Sequence, residues 1–246
     1  MADLAGRGGW EERLRAAIAG LQPGQLQRLM AEMRLRDDLK GAEVPEELWA
    51  QFNAETRAAI EPILTQVFIE SAVTAAAAYP TLTVDWALIN VRAAEWAAKY
   101  SFNLVRLIDS TTRDGLQAAI SNYFQTPESM GDLRAAIAKF VPTIQDKLGR
   151  TLYATTRAEM IATTEVTRAA TQGELAWVRE IRADNPAIKM REVWQTNQDV
   201  EFIGGRRTGV CPICEERQGK VIEGHDFPPA HPRCRCWTNT ELVGLR

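Results

Sequence analysis

The stretch CPICEERQGKVIEGHDFPPAHPRCRC, residues 211–236, contains all four cysteines of the chain and both of its histidines. Cys211 and Cys214 are separated by two residues, so their thiolates can reach one metal ion from a single tight turn. Gly219 then lets the chain leave that turn in a positive-φ conformation. The return half, Pro228 to Cys236, brings back an imidazole and two thiols after a 16-residue excursion. That donor set suits a tetrahedral Cys₃His zinc site. Five soft donors compete for the four places: Cys211, Cys214, His231, Cys234 and Cys236. Cys234 and Cys236 face the same side of an extended strand. Cys234 is nearer His231 and is preferred, with Cys236 as the alternative ligand. Two disulfides, a redox pair or inert buried thiols are the competing readings. A reducing compartment and the lack of a βαβ context weigh against the first two. Four protein ligands would make the zinc structural, because catalysis needs an open coordination position. His225, in Glu223-Gly224-His225-Asp226, reads as an exposed loop residue.

Composition changes just upstream of this stretch. Of 35 alanines, 33 lie at or before Ala183, whereas five of the 11 prolines and six of the 16 glycines lie in residues 184–246. Alanine favours helix, and glycine and proline punctuate turns. The expected fold is therefore α+β, mainly α: a multi-helix N-terminal body and a small C-terminal zinc-stabilised subdomain containing β-strands. A tail of this size rarely gains more than about 3–5 kcal/mol from core burial alone, whereas a structural zinc supplies an apparent ~10–16 kcal/mol. In the tail, Met190–Trp194 and Trp237–Val243 alternate as short strands and Val221-Ile222 is a third candidate.

Punctuation divides the body. Trp10–Leu21 reads as a helix ended by Gln22-Pro23-Gly24, and Gln25–Lys40 as a second, charged one. Pro45 opens the next, which Pro62 should kink or restart and Pro80 ends. Asp85 is a cap for a helix in which Trp86, Ile89, Ala93, Trp96 and Tyr100 share a face. Thr126-Pro127 starts another, closed by Pro142, and a long helix follows from Leu148 to Arg182. The expected divisions are N-terminal helices over 1–44, a helical body over 45–147, and a C-terminal domain over 148–246. The last consists of a long helix, 148–183, and the zinc-knuckle tail, 184–246.

On that long helix Arg157, Ile161, Thr164, Glu165, Arg168 and Gln172 recur at helical spacing. Spacing alone supports a solvated salt-bridge face worth a few tenths of a kcal/mol. The sharper alternative is a polar stripe of Arg157, Glu165 and Arg168 buried beneath the tail.

Taken in order, Arg157-x₃-Ile161-Ala162-x-Thr164-Glu165-x₂-Arg168, Gly173, Trp194-x-Thr196, Cys211-x₂-Cys214-x₄-Gly219 and Pro229-x-His231-Pro232-x-Cys234-Arg235-Cys236 form a recognisable series. The series resembles the phage head morphogenesis family, the Mu F-like minor capsid proteins of tailed bacteriophages, over about Asp132 onward. The resemblance implies a minor head protein, associated with the portal protein and other capsid proteins during head assembly, and acting in morphogenesis and DNA packaging or delivery. It implies a virion location, inside the head or at the portal vertex after assembly in the host cytoplasm, and an oligomer on the portal. It also favours the buried form of the stripe. The family brings an Asp closer to the first cysteine than Asp199 stands here, where an 11-residue stretch with Gly204, Gly205, Arg206 and Arg207 reads as a longer loop.

Charge limits the alternative, a zinc-knuckle module that binds DNA. The chain carries 29 basic and 32 acidic residues. The tail balances nine of each, and a Cys₃His zinc adds about −1 by formal count, leaving little field to hold phosphates. DNA is accordingly the weaker partner. No nucleophile elbow, phosphate loop or His-Glu metal helix marks an enzyme. No apolar run reaches membrane-spanning length and no basic-then-apolar signal opens the chain, so a soluble intracellular protein is expected.

Overall fold

Asp85 shows local chemistry setting an element boundary as expected. Its Oδ1 accepts from the N–H groups of Ala87 (2.8 Å) and Leu88 (3.3 Å), two donors that the first helical turn leaves open. The computed structural model describes residues 4–34, 45–125, 154–197, 201–203, 206–208 and 212–243. They form helices α1 (Arg7–Arg34), α2 (Glu46–Ala77), α3 (Trp86–Gln125) and α4 (Ala154–Asp184). Strands β1 (Met190–Gln195), β2 (Glu201–Ile203) and β3 (Arg206–Thr208), a single turn α5 (Pro212–Glu215) and β4 (Trp237–Leu242) follow. The fold is α+β and mainly α.

The expected break at Gln22-Pro23-Gly24 does not occur, and neither does a restart at Pro62. The helix α1 passes through Gln22-Pro23-Gly24, and α2 passes through Pro62. A proline inside a helix costs about 3 kcal/mol, and full burial of one large aliphatic side chain returns about 1.5–3 kcal/mol. Leu14, Ile18 and Leu29 flank Pro23, and Ile60, Leu64 and Val67 flank Pro62, all buried. Packing therefore outweighs the local signal. Pro45 behaves as expected, its carbonyl accepting from Leu48 and Trp49 at the head of α2. Thr126-Pro127, Pro142 and Leu148 lie outside the described residues.

The described residues gather into two compact units, one within 13–62 and 98–159 and one within 1–12, 63–97 and 160–246. In the first, Trp49 meets Phe52 edge to face at 5.8 Å. Arg28 forks onto Glu55 (2.6 and 2.5 Å), and Arg113 lies 4.7 Å over the Trp49 ring while pairing with Glu46.

The second unit contains the tail. Its core joins Phe68, Ala72 and Ala75 of α2, Ile89 and Ala93 of α3, and Ala176, Trp177, Val178 and Ile181 of α4, with Met190 of β1. Alanine and glycine at this crossing let backbones approach closely. A Cβ on Gly173 would lie 2.0 Å from the Phe68 carbonyl oxygen. Tyr79 stacks on Trp177 with ring centroids 5.8 Å apart.

The strands β1 and β4 pair antiparallel, with Met190 opposite Leu242 and Gln195 opposite Trp237, as the alternation of both runs predicts. Val221 forms a single bridge to Val193, and the Ile222 N–H donates to the Glu192 carbonyl (2.8 Å), so the third candidate lies along β1. The stretch expected as a longer loop contains instead the antiparallel pair β2–β3, Phe202 opposite Arg207. Asp199 lies outside the described residues. Among the described residues no helix is long and apolar enough to cross a membrane.

Candidate metal centre

The tail places Cys214 on α5 and His231 and Cys234 on the loop before β4. Their donor atoms all lie within 4.8 Å of one another, close enough to bind one metal ion. The Sγ atoms of Cys214 and Cys234 are 3.9 Å apart. Tetrahedral zinc with Zn–S near 2.3 Å sets sulfurs about 3.8 Å apart, so this edge already fits. The Cys214 Sγ to His231 Nε2 distance is 3.0 Å, an edge that must open slightly around an ion.

Several local features prepare these donors. His231 Nδ1 lies 2.8 Å from the Pro232 carbonyl oxygen, which can only accept. The ring proton therefore sits on Nδ1 and leaves the Nε2 lone pair facing Cys214, the form a metal requires. Backbone N–H groups of Cys236 and Ala230 donate to the Cys234 sulfur, and that of Asn197 donates to Cys236. Arg233 takes φ 65°, and the Cys234 N–H closes a turn onto the His231 carbonyl at 3.1 Å. Gly219 takes φ +71° as expected, and its N–H donates to the Trp194 carbonyl.

Cys214, Cys234 and Cys236 are free thiols, each at most 3% exposed, packed with Trp194, Ile222 and Ala230. Cys236, two residues beyond Cys234, influences the ionisation of both other thiols. Gathered in this way, they resist ionising together. Contact with Cys234 and Cys236, then burial, pushes the Cys214 thiol upward, while donation from Cys214 and Cys236 draws Cys234 downward. A divalent cation removes that conflict by taking the protons' place. Of the five sequence candidates, the structure brings together Cys214, His231 and Cys234, with Cys236 adjacent, and Cys211 lies outside the described residues.

The polar stripe is partly as expected. Glu165 is buried and lies 3.4 Å from Arg168 Nε, whose side chain is partly exposed; the Arg157 side chain lies outside the described residues. Thr164 of that stripe grips the tail together with Thr167 and Glu174, which lie three and ten residues further along α4. Thr164 Oγ1 accepts from the Arg233 N–H (2.9 Å) and donates to the Met160 carbonyl. Thr167 Oγ1 donates to the Cys234 carbonyl (2.7 Å). Glu174 Oε1 accepts from the N–H and Oγ1 of Thr240 (3.1 and 2.8 Å), and Oε2 accepts from Thr238 Oγ1. Tyr79 completes this anchoring, donating from its hydroxyl to the Thr240 carbonyl (2.8 Å).

Burial pushes the Glu174 carboxyl up to about 7, against the pull of its three donors, with nearby Glu192 adding to the rise. A carboxyl raised above its unfolded value contributes full stability below about pH 4.5, and loses it as pH rises through about 7. Glu174→Gln keeps an acceptor for Thr240 and can donate to Thr238. Its stability should exceed that of the parent by about 2–3 kcal/mol at pH 8 and match it near pH 5. Urea unfolding at the two pH values measures this, and an equal gap at both would refute the assignment.

No protein-family model, curated protein or solved structure matches the chain.

Proposed function

We propose that this chain is a minor head protein of a tailed phage or prophage, portal-associated and acting in capsid morphogenesis, with a structural zinc in its tail. The observation carrying this reading is the join between helix and tail. The Thr164-Glu165-x₂-Arg168 helix holds the His231-Pro232-x-Cys234-Arg235-Cys236 loop directly, through Thr164 to Arg233 and Thr167 to Cys234. The two most family-like motifs are thus one structural piece. Cys214, His231 and Cys234 supply three ligands, and Cys236 or Cys211 the fourth.

The DNA-binding alternative gains less support. Arg217 is paired with Asp226 and lies 5.0 Å over the Trp194 ring, and Arg235 forks onto Glu11. Two of the tail's basic groups are therefore engaged within the protein instead of being presented to phosphates.

Co-expression with the portal protein encoded beside it should yield a stable complex, and elemental analysis should return about one zinc per chain. If no portal gene lies nearby and no portal protein co-purifies, the head-protein reading fails. A sample with no metal by elemental analysis that still gives native activity in head assembly refutes the zinc.

A further inference from the structure

We propose that the N-terminal segment Leu4–Glu12 is a metal-responsive clasp, docking on the ligand loop while that loop is held by metal and slowing the metal's release in return. The inference rests on the zinc reading above. The segment lies in the same compact unit as the tail, although more than 150 residues separate them. Leu4, Arg7 and Glu11 are all buried there, at most 7% exposed.

One contact ties the segment to the loop directly and another does so through Thr167 of α4. Arg235 stands between Cys234 and Cys236, and its guanidinium donates from Nε and Nη2 to the two Glu11 carboxylate oxygens (3.1 and 2.5 Å). The neighbouring cysteine side chains turn into the sulfur cluster, so residue 235 is left to face outward. Arg7 Nη1 donates to Thr167 Oγ1 (2.7 Å). Arg7 offers only donors, so the single hydroxyl hydrogen of Thr167 is committed to the Cys234 carbonyl, 2.7 Å away. The segment thus reaches the backbone of one ligand through one hydroxyl, and grips the side chain between two candidate ligands.

Metal binding fixes the backbone on both sides of Arg235, so the cost of ordering its side chain toward Glu11 falls. Without metal the loop samples other conformations, and the buried Glu11 carboxylate would lose both charge-assisted bonds from Arg235, which favours undocking. Coupling of this kind is reciprocal: whatever the metal adds to docking, docking adds to metal affinity. Residues that hold a metal's ligands in place commonly alter affinity about 10–100-fold, and Glu11 acts one contact further out, which sets about tenfold as the expected effect.

The test uses the full-length protein with its zinc content first established by elemental analysis. Hydrogen exchange of the amides in 4–12 should be slow in the zinc form, faster after chelation, and slow again when zinc is returned. Zinc release into a chromophoric chelator should be about tenfold faster in Glu11→Gln, and also accelerated in Arg7→Met, which leaves the Thr167–Cys234 bond in place. Arg28→Gln, whose partner is Glu55, should release zinc as the parent does. The cobalt-substituted Glu11→Gln protein should keep the parent's thiolate-to-cobalt absorption, because the ligands are unchanged. Parental release rates in both Glu11→Gln and Arg7→Met, with one zinc bound, overturn the clasp and leave the zinc reading intact. A protein that takes up neither zinc nor cobalt overturns both.

Discussion

Stripping metal from the purified protein is expected to open the tail over residues 212–243 to protease while much of the helical structure persists. A small turn-rich segment rarely draws more than about 3–5 kcal/mol from burial, against an apparent ~10–16 kcal/mol from a structural zinc. Among the described residues, the apolar contacts around the site are Trp194, Ile222 and Ala230 with the three cysteines. Without an ion, three buried sulfurs and an imidazole share a space in which they cannot all be charged or all be satisfied. His231→Ala and Cys234→Ser should reproduce the effect of a chelator. The fragments are readily identified by mass spectrometry after brief digestion. Retained protection over 212–243 in a sample shown to contain no metal would remove the structural role assigned to the ion.

Gly173→Ala is expected to lower the melting temperature by about 10 °C, corresponding to about 3 kcal/mol or more. The added methyl would meet Phe68 backbone at 2.0 Å (carbonyl oxygen), 2.9 Å (carbonyl carbon) and 3.1 Å (Cα). These atoms belong to the interior of α2 and cannot swing aside as a side chain would, so α2 and α4 must separate. Separation loosens Ala72, Ala75, Ala176 and Trp177, which pack there almost without exposure. Helix propensity opposes the loss, since alanine is favoured over glycine by about 1 kcal/mol, but the steric term is larger. Thermal unfolding followed by circular dichroism decides the sign. A rise in melting temperature would show that the two helices do not touch at this point.

The strands β1 and β4 and the metal cluster are legible in the sequence because their signals are short-range, whereas the pair β2–β3 is not. Alternation over Met190–Trp194 and Trp237–Val243 marks one buried face, and Cys214, His231 and Cys234 carry chemistry with few competing uses. The break expected at Pro23 and a restart at Pro62 do not occur because a local cost of about 3 kcal/mol is decided by burial that only the tertiary fold reveals. Within α4 the expected stripe centres on charged residues, whereas Thr164, Thr167 and Glu174 hold the tail. Threonine in a helix carries no distinctive mark in sequence unless its hydroxyl has a partner. Arg7 and Glu11 could not be anticipated at all. Their partners are 160 and 224 residues away, and nothing in a single sequence pairs residues at that distance.

The anchoring of β4 by Glu174 and Tyr79 has a consequence for assembly. In β4 the residues 237, 239 and 241 turn their peptide groups toward β1, so those of Thr240 and Leu242 point away from it. The Thr240 N–H and carbonyl are consumed by a carboxylate and a phenol. An unpaired strand would otherwise offer those groups to an extended segment of another chain. Here that mode of recruitment is blocked from within the molecule. An extended segment of another chain therefore cannot lengthen this sheet through the Thr240 peptide group, which is already satisfied from within the molecule.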